Sequence, residues 1–159
     1  MNNTVQISAI SGVPDIKPGD KLDKILGECL EKSGGVREHD ILCVAHKVVS
    51  KAEGNLIKLS DVRPSKEANR YALELNKSPE KVEVILSQSK RVVRAFKHPR
   101  QNEGTMICEH KLGFISANAA VDESNSDFGT LITLPDAPDL SAKRLGESLE
   151  KRFGVTLGV

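Results

Sequence analysis

Two short segments hold the residue types from which chemistry could be built. In VVSKAEG, residues 48–54, an isolated lysine, Lys51, follows an apolar run and reads as lying in a polar turn at a strand end. In ANAAVDESN, residues 117–125, Asp122 stands two residues before Ser124 and three before Asn125, again just past a strand-like stretch. A lysine is a compact point charge that a phosphate can use. A single aspartate is what Mg²⁺ or Mn²⁺ takes from a protein when phosphate oxygens and waters supply the remaining ligands. Together they suit a nucleoside triphosphate with its metal ion. Each residue also has a plainer reading, Lys51 as a solvated surface cation and Asp122 as an aspartate closing an Asx turn. Asn125 reads equally as a turn residue and as a group that bonds base, ribose or phosphate.

Other candidates surround these two. The segment GVPDI, residues 12–16, has a proline that restrains the backbone and amides that could meet a ligand. His46 and Lys47 follow an apolar run, and His46 could titrate or ligate. His39, His98 and His110 are scattered, with no metal-ligand spacing. No GxxxxGK[ST], GxSxG, HExxH or GxGxxG pattern is present, so a Walker-type phosphate loop is excluded.

The bulk properties narrow the class. The 159 residues are enough for one ordinary domain with a core. Twenty-three Lys and Arg nearly balance 22 Asp and Glu, which gives no electrostatic case for nucleic acid. No apolar run reaches the ~18 residues of a membrane span, and the first ten residues do not read as a signal peptide. The cysteines, Cys29, Cys43 and Cys108, are odd in number and widely spaced, so they read as buried reduced thiols in a cytoplasmic protein.

The elements that must position these residues follow from periodicity. Residues 5–10 alternate and predict a strand. Asp20 caps a predicted helix carrying Leu22, Ile25, Leu26, Cys29 and Leu30, ended by Gly34 and Gly35. Residues 41–45 form a continuous apolar run and predict a strand buried on both faces, followed after the turn by a short strand at 55–59. Ser65 opens a second helix with Ala68, Tyr71, Ala72 and Leu75 on one face. Ser78-Pro79-Glu80 starts a third, carrying Val82, Ile85, Leu86 and Ser89. The period then shifts to two, predicting strands at 92–96, 105–108, 114–118 and 131–134, mostly antiparallel, with a polar hairpin loop at 98–104. Asp139 and Ser141 open a last helix burying Leu145, Leu149 and Phe153. Residues 154–159 read as a turn entering a further strand, so residues 1–159 are expected to be the N-terminal part of a longer fold. The class is α+β, a mixed, mostly antiparallel sheet with flanking helices.

The segments GVPDIKPGD, DILCVAHKVVSKAEGNLIKLSDVRPS, SPEKVEVILSQSKRVVRA and GFISANAAVDESN, in this order, resemble the coenzyme F-420:L-glutamate ligases (F-420-0 gamma-glutamyl ligases) over nearly the whole chain. The resemblance implies a GTP-dependent ligase that joins L-glutamate by an amide bond to the carboxylate of a deazaflavin precursor through an acyl phosphate. It implies GTP as co-substrate, Mg²⁺ or Mn²⁺ with K⁺ as a further cation, and a cytoplasmic homodimer. It places Val13, Pro14, Asp15, Ile16, His46, Lys47, Lys51 and Asn125 at the GTP and Asp122 on the metal. Ala119-Ala120 departs from the Ala-Gly expected there. The family's further metal ligands and a glycine-rich GTP segment would lie past Val159. Two other readings are a non-catalytic remnant or binding module of the same fold, and an amide ligase for another carboxylate.

Overall fold

Two of the described helices begin at a serine whose hydroxyl takes a free backbone amide, and two end at a left-handed glycine. A computed structural model describes residues 4–124 and 126–159. Helix α1 (Leu22–Lys32) buries Leu26, Cys29 and Leu30. Its cap is Lys21, because the Asp20 carboxylate instead accepts from the Lys17 amide at 2.8 Å. Helix α2 (His46–Glu53) ends at Gly54, whose φ of 79° is the left-handed stop that glycine adopts without strain. Helix α3 (Lys66–Leu75) is capped by Ser65, whose hydroxyl accepts from the Ala68 amide. Helix α4 (Pro79–Ser87) is capped by Ser78 in the same way, with Pro79 at its first position. Helix α5 (Pro138–Phe153) buries Leu145 and Leu149.

Among the described residues, five strands form two antiparallel sheets. β1 (Leu56–Lys58) pairs with β5 (Thr130–Ile132). β2 (Ser89–Phe96), β3 (Thr105–His110) and β4 (Ile115–Ala117) form the other sheet, with β3 in the centre. β3 alternates as a one-sided strand must, with Met106, Cys108 and His110 buried.

The chain falls into two compact units. The first takes Met1–Gly54 and Pro135–Val159; the second takes Asn55–Leu134. In the first, Leu26, Leu30, Leu42, Leu145, Leu149 and Leu157 make a leucine core. There α1 and α5 are tied by Arg152 to Glu31 at 2.9 Å and by Ser148 to Asp23 at 2.8 Å. In the second, α3 and α4 supply Ala68, Ala72, Leu75, Val82 and Ile85, and the sheet supplies Met106 and Cys108. Ala119 completes that core.

Several expectations are corrected. Residues 5–10 form no strand: Val5 and Ile7 are exposed, and among the described residues no strand pairs with them. An alternating segment gains a strand's stability only with a partner to take its hydrogen bonds. Among the described residues, 41–45 make a single parallel bridge, Ile41 with Gly158, and they are not buried on both faces. Leu42 is buried while Ile41 and Cys43 are exposed, so a uniformly apolar run is used as an alternating one. Cys43 is likewise not a buried thiol, unlike Cys29 and Cys108. Ser89 begins β2, its hydroxyl donating to the Ile85 carbonyl at 2.6 Å. Asn125 lies outside the described residues.

The backbone at Asn118, Ala119 and Ala120 is left-handed three times in succession, with φ of 49°, 50° and 55°. An L-residue costs roughly 1–2 kcal/mol in that region. Asn118 Oδ1 accepts from the Met106 amide at 3.2 Å, and Ala119 is buried, so the turn is held from both sides of its strain. Ala120→Gly should therefore stabilise the protein by about 0.5–1 kcal/mol after glycine's own entropy is charged. A rise in the urea midpoint at constant slope would show it. Gly104→Ala should act oppositely, costing about 1–3 kcal/mol, because a Cβ there would meet the Phe96 carbonyl oxygen at 2.8 Å and Leu75 at 2.6 Å.

Candidate functional site

Lys51 stands on the last turn of α2 and not in a turn after a strand. The VVSKAE stretch contains good helix formers, and Gly54 supplies the stop, so the polar residues after Val49 prolong a helix. The side chain of Lys51 is only 14% exposed, and its Nζ lies 2.8 Å from Asp15 Oδ1. A cation near a helix C-terminus is favoured by the helix dipole. An ammonium with so little water also needs an anion beside it.

Asp15 meets that need from the 12–20 loop, which is fastened to the same helix. The Gly19 amide donates to the Ala52 carbonyl at 2.9 Å, and Ile16 is buried. Val13, Pro14 and Asp15 remain exposed. The structure thus brings Asp15 and Lys51 together across 36 positions, with Val13 and Pro14 beside the pair in the chain. His46 and Lys47 occupy the first turn of α2 and are half-buried. Lys47 lies four residues before Lys51, hence on the same helix face.

Asp122 belongs to the second unit and is described there by itself. Its backbone pairs with Ile132 in both directions, at 2.9 Å and 2.7 Å. Its two carboxylate oxygens accept from the Ser124 amide and the Ser124 hydroxyl, both at 2.8 Å. The Asx turn is therefore formed. A carboxylate oxygen can accept more than one bond, so an oxygen-seeking cation could share this carboxylate. Among the described residues no three His, Cys, Asp or Glu gather to hold a metal. A cation there would take one protein carboxylate and draw its other ligands from phosphate and water.

Sequence reasoning missed the partnership of Asp15 with Lys51, because nothing local marks a pair so far apart in the chain. It also missed two lysines of the second unit, Lys77 and Lys81, both largely buried against carboxylates. His110 was read as one of the scattered histidines, but it is fully buried and stacked on Phe114 at 4.9 Å between ring centres.

A family model described as F420-0:Gamma-glutamyl ligase matches residues 12–159. The chain belongs to that family. It is 39% identical to the coenzyme F420:L-glutamate ligase of Methanopyrus kandleri over 98% of its own length and 58% of that protein's. It is 34% identical to the protein of the same name from Methanothermobacter thermautotrophicus, over 98% of this chain and 60% of that one. For the Methanosarcina mazei protein the identity is 33%, over 95% and 55%. The chain therefore spans less than two thirds of the length of these curated relatives. In this member of the F420-0:gamma-glutamyl ligase family, the match takes in the 12–20 loop, Lys51 and Asp122 alike.

The Asp15–Lys51 pair has a pH signature. The hydrogen bond from Lys51 and then its charge hold the Asp15 carboxyl below its ordinary 3.8. A depressed carboxyl contributes stability above the unfolded-state value and loses it as pH falls through the folded one. The carbon resonance of Asp15 should accordingly titrate below 3.8, and Lys51→Ala should return its midpoint toward 3.8.

Proposed function

We propose that this chain supplies part of a GTP-dependent ligase that joins L-glutamate, through its amine, to the carboxylate of a deazaflavin precursor of coenzyme F420. The observation that carries the reading is the family match from residue 12 to residue 159, which spans both candidate segments. The names of the relatives give the amino acid and the coenzyme.

The chemistry demands activation before the amide can form, because a carboxylate is a poor electrophile. In the reaction proposed, an oxygen of the acceptor carboxylate attacks the γ-phosphorus of GTP and GDP departs, leaving an acyl phosphate. The glutamate nitrogen then attacks the acyl carbon, the C–O bond to phosphate breaks, and phosphate and a proton are released. Charge accumulates on the phosphoryl oxygens in the first step. Lys51, sparsely hydrated and anchored on α2, is the group suited to meet it. To do so it must exchange Asp15, whose side chain is 78% exposed and can turn away, for a phosphate oxygen. In the second unit, Asp122 is the residue that would give Mg²⁺ or Mn²⁺ its one protein ligand, and such a cation would offset charge on the phosphate oxygens it binds. Val13, Pro14 and Ile16 give the loop a stiff backbone, and His46 and Lys47 flank the same helix. Homodimer formation in the cytoplasm, and a role for K⁺, belong to the same reading.

Incubating the chain with the deazaflavin precursor, GTP, Mn²⁺ and L-glutamate should add one glutamyl mass to the precursor only when GTP is present. Lys51→Ala should weaken GTP binding by about 1–3 kcal/mol, read by calorimetry. Asp122→Asn should abolish the metal dependence of GTP binding while the melting temperature stays near that of the parent, because an asparagine oxygen can still accept from the Ser124 amide. Full GTP affinity in Lys51→Ala would remove that residue from the site. GTP binding without any product would favour a binding module over an enzyme.

A further inference from the structure

The loop that carries Asp122 is fastened by a chain of four alternating charges within the second unit. Lys77 has 3% of its side chain exposed and places Nζ 2.9 Å from Glu103 Oε2. Lys81 reaches the same oxygen at 3.0 Å and Glu123 Oε2 at 2.7 Å. Glu123 follows Asp122 directly. The order along the chain of charges is Lys77, Glu103, Lys81, Glu123, running from the start of α4 through the 98–104 loop to the loop after Asp122.

Lys81 occupies an unfavourable place for a cation on two counts. It lies in the first turn of α4, where the helix dipole favours an acid. It is also largely removed from water, with 17% of its side chain exposed. Burial alone would lower its pKa, and the bonds from Glu123 and Glu103 outweigh that effect and leave it above the ordinary value. Replacing such buried ion pairs by apolar residues is often neutral or stabilising, so stability is a poor reason for this arrangement. What the arrangement does supply is a fixed distance between a rigid helix and a short loop.

We propose that Lys81 is a positioning residue: its bond to Glu123 locks the peptide after Asp122 and so holds the Asp122 carboxylate ready for a cation bound with a triphosphate. This rests on the reading of Asp122 given above. The Asp122 backbone is held by its two bonds to Ile132, and the Ser126 hydroxyl donates to the Thr130 carbonyl as well as to that of Glu123, but the bonds from Ser124 that set the Asp122 carboxylate lie within the segment after it. The Lys81 contact ties that segment to α4. Ordering a backbone residue costs roughly 1–2 kcal/mol of entropy. If that ordering is already present in the free protein, the cation does not have to supply it on binding.

The test measures Mn²⁺ affinity of the full chain in the presence of GTP, by electron paramagnetic resonance, together with hydrogen exchange of residues 121–129 without metal. Lys81→Met keeps the apolar stem and removes the charge. It should weaken Mn²⁺ binding about tenfold and speed exchange in the loop, and Lys81→Arg should recover most of both. Glu123→Gln, at a half-exposed carboxylate, should match Lys81→Met, and the double variant should be no worse than either. Mn²⁺ affinity within twofold of the parent in Lys81→Met or Glu123→Gln, even with a lower melting temperature, would overturn the positioning role. No Mn²⁺ binding by the parent, with faster loop exchange in Lys81→Met, would instead overturn the metal reading of Asp122 and leave only a structural tether.

Discussion

An ammonium that has lost most of its water must have an anion against it, and each unit of this protein contains a case of that constraint. In the first unit it is Lys51 with Asp15; in the second it is Lys77 with Glu103. The two differ in what surrounds the carboxylate. Asp15 is the more exposed partner and stands on a loop whose backbone is clipped to α2 at Gly19, so its side chain can give way to another anion. Glu103 is shared with a second lysine and continues into Glu123, so that pair is part of a framework. One geometry makes a cation available, and the other makes a loop immobile.

The parts of the fold legible in the sequence were those fixed by local chemistry. Ser65 and Ser78 announced their helices because a serine hydroxyl satisfies an amide three residues on. The change of period after Ser89 announced the β2–β3–β4 meander; β3 alternates strictly, whereas the register of β2 shifts between Ser89 and Arg91 and between Val92 and Arg94 and breaks its alternation. What failed was whatever depended on a distant partner. Residues 5–10 alternate as a strand does, yet nothing in six residues says whether another strand will accept their hydrogen bonds. Residues 41–45 looked fully buried because all five are apolar, but burial is decided by what packs against them, and only Leu42 and Val44 join the leucine core. Lys51 was recognised as a residue and misplaced as an element, for Val48 and Val49 suggest a strand until Gly54 is taken as a helix stop.

The candidate site divides in the same way. Residue types at Lys51 and Asp122 could be read directly, and the family match shows that their segments belong together in one kind of protein. Their partners could not be read. Asp15 and Lys81 owe their roles to folding across dozens of positions, which no motif records. The left-handed turn at residues 118–120 was signalled only faintly, as an alanine where glycine was expected. Its strain is tolerated because Ala119 fills the core and Asn118 takes a bond from β3.

The pairing of Leu42 with Gly158 has a consequence for the order in which the protein is assembled on the ribosome. The Leu42 amide donates to the Gly158 carbonyl, and the Gly158 amide to the Asp40 carbonyl. The first unit thus draws its core from both ends of the chain, whereas the second is one uninterrupted stretch from Asn55 to Leu134. During synthesis the second unit has all its strands before α5 has been made, and it can fold while the N-terminal segment still waits. Until α5 emerges, Leu26, Leu30 and Leu42 lack the Leu145 and Leu149 that complete their core. Nascent chains that have released the second unit but not α5 therefore carry an exposed leucine surface, the stage at which a chaperone has most to hold.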